Sequence, residues 1–230
     1  ATGADVVHLE VGQPSTRAPR KVLEAAKAAL DQDLIGYTLA LGIPQLRERI
    51  SRHYREFYGA DVPAERIVVT TGSSGGFLLS FVTAFAPGDR VALAAPGYPC
   101  YRNILTALDI EPVIVPMEAD TKFQPTIEAL EQVQRETGRP LDGLIVASPS
   151  NPVGAVVPDA SLRKIAAYCR QHGIRFVSDE IYHGITYGAP ATTAAAIDDQ
   201  AIVVNSFSKY FSMTGWRLGW LVVPTDLLQP

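Results

Sequence analysis

Apolar side chains along this chain come in two spacings. Short runs of aliphatic and β-branched residues recur at 66–70 (RIVVT), 90–95 (RVALAA), 111–116 (EPVIVP), 143–148 (GLIVAS), 175–179 (RFVSD), 201–206 (AIVVNS) and 219–224 (GWLVVP). Runs that are continuous rather than alternating fit strands covered on both faces, the condition of a parallel sheet. Between several of them the spacing turns helical. Over 159–172, Leu162, Ile165, Ala166 and Cys169 fall at i, i+3, i+4 and i+7, with Asp159 or Ser161 as the candidate cap and His172-Gly173 as the stop. Seven strands alternating with helices predict an α/β fold built on an open, doubly wound sheet.

Residues 1–65 have a different texture. GQPSTRAP at 12–19 and YTLALGIP at 37–44 read as loops, 20–31 as a helix, and 44–58 as a second helix opened by Pro44. No repeat, low-complexity tract or linker divides the chain, so one domain with an N-terminal arm is expected.

Composition narrows the function classes. Of the 230 residues, 47% are hydrophobic, ample for a sizeable core. Only 19% are charged and the formal net charge is −4, so the basic balance that goes with nucleic acid or a membrane surface is missing. Two cysteines, Cys100 and Cys169, make neither a disulfide scaffold nor a zinc site, and a reducing cytosol is the expected compartment. No apolar run reaches the roughly 18–20 residues that span a bilayer. The first residue is not Met and LVVPTDLLQP ends on a strand-like run, so a fragment of a longer protein is expected.

In open α/β sheets, ligands sit beyond the carboxyl ends of the strands, so the residues just past each strand are the place to seek chemistry. There stand TGSSGG (71–76), PGYP (96–99), PSNPVG (149–154), DEIY (179–182) and SFSK (206–209), with Arg217 eight residues further on. A glycine- and serine-rich turn leading into a helix offers free N–H groups and the positive end of a helix dipole, which suit a phosphate. A plain turn with a cap fits the same residues, and neither GxGxxG nor GxxxxGK[ST] is present, so the usual nicotinamide and P-loop signatures are absent. Lys209 lies among small, aromatic and apolar neighbours near Arg217. A partly desolvated lysine beside another cation has a lowered pKa and serves as an amine nucleophile, whereas a lone lysine is ordinarily a solvated surface group. Asp179 is a helix cap or a buried partner for a cationic ligand group. Tyr182 and Asn151 are able to hydrogen-bond a phenolic oxygen, and Tyr98 to stack on an aromatic ring.

Taken in order, YTLALGIPQLRERI, TTGSSGG, PGYPCY, SPSNPVG, SDEIYHGI and SFSKYFSMTGWRLGW resemble the class I/II aminotransferases, fold-type I enzymes that use pyridoxal 5′-phosphate (PLP). These segments span residues 37 to 220. The resemblance implies a mostly parallel seven-stranded sheet with helices on both faces, residues 1–36 forming an arm and first helix and 37–230 the PLP-binding large domain. It implies that Lys209 bonds the cofactor aldehyde as a Schiff base, that Asp179 pairs with the pyridine nitrogen, and that Tyr182 and Asn151 hold the ring hydroxyl. Tyr98 resembles the ring-stacking residue. Ser73, Ser74, Ser206, Ser208 and Arg217 resemble the phosphate cup, to which Tyr37 is added from the neighbouring subunit of a homodimer. Gly12 resembles the glycine lining the substrate pocket. The implied reaction moves an amino group between an L-amino acid and a 2-oxo acid by a ping-pong cycle, with no metal.

The departure from the family lies at the end. Its members continue into a smaller C-terminal domain whose arginine binds the substrate carboxylate, and Arg17, Arg20 and Arg102 do not match that motif. Two other readings share the motifs: a PLP-dependent β-lyase of the same fold, and a PLP-binding regulatory module without turnover, against which stands the lack of a basic helix-turn-helix pattern at 1–40. His183 reads as an ordinary loop histidine, Cys100 and Cys169 as small core residues, and Trp216 and Trp220 as packing.

Overall fold

The computed structural model describes residues 11–32, 35–121, 123–188 and 190–228. Residues 1–10 of the arm and the last two residues of the 37–230 span lie outside them. All seven apolar runs form strands: β1 (Ile67–Thr70), β2 (Arg90–Ala95), β3 (Glu111–Pro116), β4 (Gly143–Ala147), β5 (Arg175–Asp179), β6 (Ile202–Ser206) and β7 (Gly219–Val222). They make one sheet in the order β1-β7-β6-β5-β4-β2-β3. Strands β2 to β6 run parallel, while β7 is antiparallel to both β6 and β1. The sheet is therefore mostly parallel, as the resemblance implied.

Helices cover both faces, and two apolar cores result. Helices α2 (Pro44–Tyr58), α5 (Ile127–Thr137) and α6 (Asp159–His172) pack on one side, with Tyr54, Leu130, Leu162 and Ile165 buried beside Leu144, Phe176 and Trp220. Helices α3 (Gly72–Ala84) and α4 (Pro99–Ala107) pack on the other, with Phe77, Phe81 and Leu105 against Val177, Ile202 and Val204. β5 and β6, in the middle, are closed from both sides, which is why their sequences carry no alternation. Helix α1 (Arg20–Gln32) differs, because none of its residues is buried.

Most expected boundaries hold. Pro44 opens α2, and Gly173, in the left-handed conformation, stops α6. The four periodic residues of α6 are all buried. Its cap departs from expectation: Pro158 takes the N-cap position, and Asp159 sits one residue inside, accepting a hydrogen bond from Arg163 instead of capping. The GSSGG segment also departs, for it is the first turn of α3 rather than a loop before it. Among the described residues no helix is long and apolar enough to cross a membrane.

Candidate active site

At the carboxyl edge of the sheet a cavity of about 360 Å³ opens over β4, β5 and the chain leaving β6. Ser73, Ser74, Tyr98, Asn151, Asp179, Tyr182, Ser208, Lys209, Arg217 and Gly12 all line it. Their convergence follows from topology. Parallel strands end at the same edge, so residues far apart in sequence meet there. Asp179, the last residue of β5, stands in register with Ala147 of β4 and Val204 of β6.

Asp179 is buried to 5% exposure. Tyr101 donates its hydroxyl to Oδ2, and the backbone N–H of Ile181 donates to Oδ1. Burial raises its pKa to about 6, opposed by those two hydrogen bonds and assisted by the neighbouring Glu180 charge. Among the described residues no cation forms an ion pair with it, so it is a buried carboxylate, held by neutral donors, that faces a cavity. Tyr101 was not anticipated from sequence. Its signal was present: it lies three residues after Tyr98 in a helix begun by Pro99, so both rings share a face, with centroids 5.4 Å apart.

Lys209 enters from the loop after β6. Thr214 donates to the Ser208 carbonyl, the Met213 N–H to Phe207, and the Phe207 N–H to Leu218, which ties this loop to the start of β7. Partial burial lowers the Lys209 pKa, and the charge of Arg217 lowers it further. Its amine donates to the Gly12 carbonyl at 2.5 Å, and Thr16 meets Ser212 at 2.6 Å between hydroxyl oxygens, so the N-terminal arm closes over the lysine.

At the other end of the cavity, α3 begins with its free N–H groups, and Ser73 and Ser74 stand in that first turn. Arg217 lies directly over it. A side chain at Gly72 would meet the guanidinium at 2.5 Å, and Gly72 has φ +75°, so only glycine permits this approach. Helix dipole, two hydroxyls, Ser208 and a guanidinium together make an anion cradle. Between the two ends, Tyr182 stands beside Asn151; burial first and Asp179 second raise its pKa, against a hydrogen bond with Asn151.

Two residues of the expected set are elsewhere. Ser206 is buried and does not line the cavity; its hydroxyl accepts from the Ser208 N–H, which turns the chain so that Ser208 faces in. Tyr37 is fully exposed and reaches no part of this chain's cavity. Phe77, Thr214, Val11, Gln13, Ala147 and Ile181 complete the walls unforeseen. His183 is no loose loop residue but is buried at 6%, behind the wall rather than in it. Cys169 is a core residue, Cys100 only half-buried. Trp220 packs in the core and donates to Tyr54, whereas Trp216 is exposed at 44%.

The sequence profile of the family described as aminotransferase class I and II matches residues 4–229. A valine–pyruvate aminotransferase of Mycobacterium tuberculosis is 53% identical over 228 residues, covering 98% of this chain and 58% of that protein. An aspartate aminotransferase of Pyrococcus horikoshii is 33% identical over 98% of this chain and 57% of its own length. Among solved structures, an aminotransferase from M. tuberculosis superposes with a TM-score of 0.90 over 95% of this chain and 59% of the other, at 53% identity. Aspartate aminotransferase of Thermus thermophilus with maleate gives 0.89 over 95% and 56%, at 32% identity. The chain thus spans somewhat under three fifths of the curated relatives named here. With a profile match across nearly its whole length, it belongs to the aminotransferase class I and II family.

Proposed function

We propose that this chain carries the PLP site of an aminotransferase that moves an amino group from an L-amino acid to a 2-oxo acid, and that residues 37–230 form its cofactor-binding unit. The observation that carries the reading is the arrangement of one cavity: an amine with a lowered pKa, a buried carboxylate with no ion-pair partner among the described residues, and an anion cradle. These three needs match the aldehyde, the pyridine nitrogen and the phosphate of PLP. The cradle that a side chain at Gly72 would fill and the buried Asp179 carboxylate, held only by neutral donors among the described residues, fit a cofactor of this chemistry.

When bound, PLP supplies an electron sink that stabilises negative charge at the substrate Cα. Asp179 keeps the ring nitrogen protonated through a charge-assisted hydrogen bond, and Tyr101 and the Ile181 N–H hold its carboxylate in place. Tyr182 and Asn151 hold the ring oxygen, while Tyr98 covers the ring face. Ser73, Ser74, Ser208 and Arg217 bind the phosphate, with Ser206 positioning Ser208. Lys209 would hold the cofactor through its aldehyde, and its amine, whose pKa partial burial and Arg217 lower, would serve as the base that takes the substrate Cα proton. Gly12 borders the substrate end. Tyr37, exposed here, is assigned to the phosphate of a second copy in a homodimer, and the protein is assigned to the cytoplasm.

The name of the M. tuberculosis relative suggests valine and pyruvate as first substrates to try. Incubation of the full-length protein that carries this chain with PLP, L-valine and pyruvate is expected to yield alanine and the 2-oxo acid of valine. Failure to transfer from any L-amino acid, with release of pyruvate and ammonia from a β-substituted one in the absence of an acceptor, would instead mark an eliminating enzyme.

A further inference from the structure

The turn that aims Asp179 and Tyr182 into the cavity has a second, inward-facing side. Glu180 is fully buried; its Oε1 accepts from Ser178 Oγ at 3.1 Å and from the Ala194 N–H at 2.7 Å. Its Oε2 has no hydrogen-bond partner among the described residues and lies 3.5 Å from Nδ1 of His183. That same Nδ1 is 2.8 Å from the hydroxyl of Tyr58, the last residue of α2. His183 Nε2 is likewise buried and without a partner among the described residues. A carboxylate and an imidazole buried with unsatisfied atoms burden a core that apolar residues would fill more easily. The cavity does not use them, for neither lines it.

Their placement gives them a different use. The Glu180 N–H donates to Val204 of β6, and the His183 N–H donates to the Glu180 carbonyl, so these two residues alternate with Asp179 and Tyr182 around one tight turn. Gly184, at φ +89°, ends the turn on the ring of Tyr210, where a side chain would meet ring carbons at 2.6 Å; Tyr210 follows Lys209. The turn is thus pinned to β6, to α2 and to the lysine loop at once.

We propose that Glu180, His183 and Tyr58 are a buried positioning cluster, through which α2 fixes the turn that presents Asp179 and Tyr182 to the cavity. Movement of His183 or Tyr58 is passed to Asp179 through the short turn between them, which the His183 N–H to Glu180 carbonyl and Glu180 N–H to Val204 carbonyl bonds hold. The groups that face His183 are Glu180 from its own turn and Tyr58 from α2, with His53, also on α2, close enough to feel its charge. Burial and the Glu180 charge push the Tyr58 hydroxyl well above its ordinary range, so it remains a neutral hydroxyl throughout the working pH range.

The proposal rests on the reading of Asp179 and Tyr182 as cofactor ligands, yet its test is read without cofactor. Carbon-13 NMR of the Asp179 carboxyl follows its titration in the intact cofactor-free chain, with thermal unfolding recorded alongside. Tyr58→Phe removes one hydroxyl, alters no charge and touches no lining residue. It is expected to bring the Asp179 midpoint down from about 6 by roughly half a unit or more, about threefold in proton affinity, because a loosened turn admits water. His183→Gln is expected to move it further. If His183→Gln does not fold, Tyr58→Phe decides. A folded Tyr58→Phe protein whose Asp179 midpoint is unchanged or raised overturns the proposal. Loss of PLP binding by the unaltered chain would count against the cofactor reading alone, since the carboxyl titration is independent of it.

Discussion

Two buried charges stand at opposite edges of the same sheet, and they are treated in opposite ways. Arg90, at the amino end of β2, is 2% exposed. Its guanidinium donates to the carbonyls of Arg139 and Pro140, to Thr137 and to Glu111, with which it forms an ion pair at 3.1 Å. Asp179, at the carboxyl end of β5, is buried as deeply but has only neutral donors around it. A charge taken from water costs several kcal/mol unless its partners are supplied. At Arg90 the fold supplies them all, so that charge is structural. At Asp179 the described residues supply no cation and the carboxylate faces a cavity instead, the kind of perturbed buried group that the proposed function assigns to a ligand.

The sharpest way to break this contrast is to remove each charge in turn. Asp179→Ala is expected to slow amino-group transfer on the order of 10³-fold, about 4 kcal/mol of barrier, while leaving the fold intact. Arg90→Met is expected to do the reverse. It should lower unfolding free energy by about 3 kcal/mol, because Glu111 and the two carbonyls lose their donor, with turnover per folded molecule unchanged. Equal effects of both variants on turnover, after correction for folded fraction, would erase the distinction between the two edges.

pH provides an intermediate test. The folded pKa of Asp179 lies above its unfolded value, so the folded protein holds the proton more tightly. This contribution to the stability of the cofactor-free chain is therefore fully present below about pH 4 and is lost as pH rises to and through about 6, roughly 3 kcal/mol in all. Asp179→Asn should abolish that slope, and denaturant titrations across this range read it. The smallest effect belongs to the arm. Thr16→Val loses the hydroxyl contact to Ser212 but leaves the Gly12 carbonyl on Lys209, and about a twofold weaker retention of PLP is expected by equilibrium dialysis.

The same contrast explains what the sequence disclosed. Strands buried on both faces show as continuous apolar runs, and Pro44 and Gly173 punctuate their helices because backbone geometry leaves little choice. Hence the inner strands were legible, and so was the edge on which ligands gather; β3, at the side of the sheet, carries the same apolar run although its outer face is open and Ile114 is 46% exposed. What was hidden depends on where the chain turns once a strand has ended. Ser206 and Ser208 look equivalent in sequence, yet the first is consumed in holding the second. Tyr101 reads as a core aromatic until β5 brings Asp179 beneath its hydroxyl. Glu180 and His183 look like loop polar residues because nothing local reveals that Tyr58, 125 residues from His183, packs against them. Trp216 shows the converse, a large apolar residue that the fold leaves in the open.

The central claim is that the cavity is built around PLP held by Lys209, and covalent trapping tests it directly. The chain is incubated with PLP, reduced with borohydride, digested and mapped by mass spectrometry. The account predicts a yellow complex and a single reduced pyridoxyl adduct on Lys209. An adduct on any other lysine, or none under conditions where the protein is folded, would contradict it.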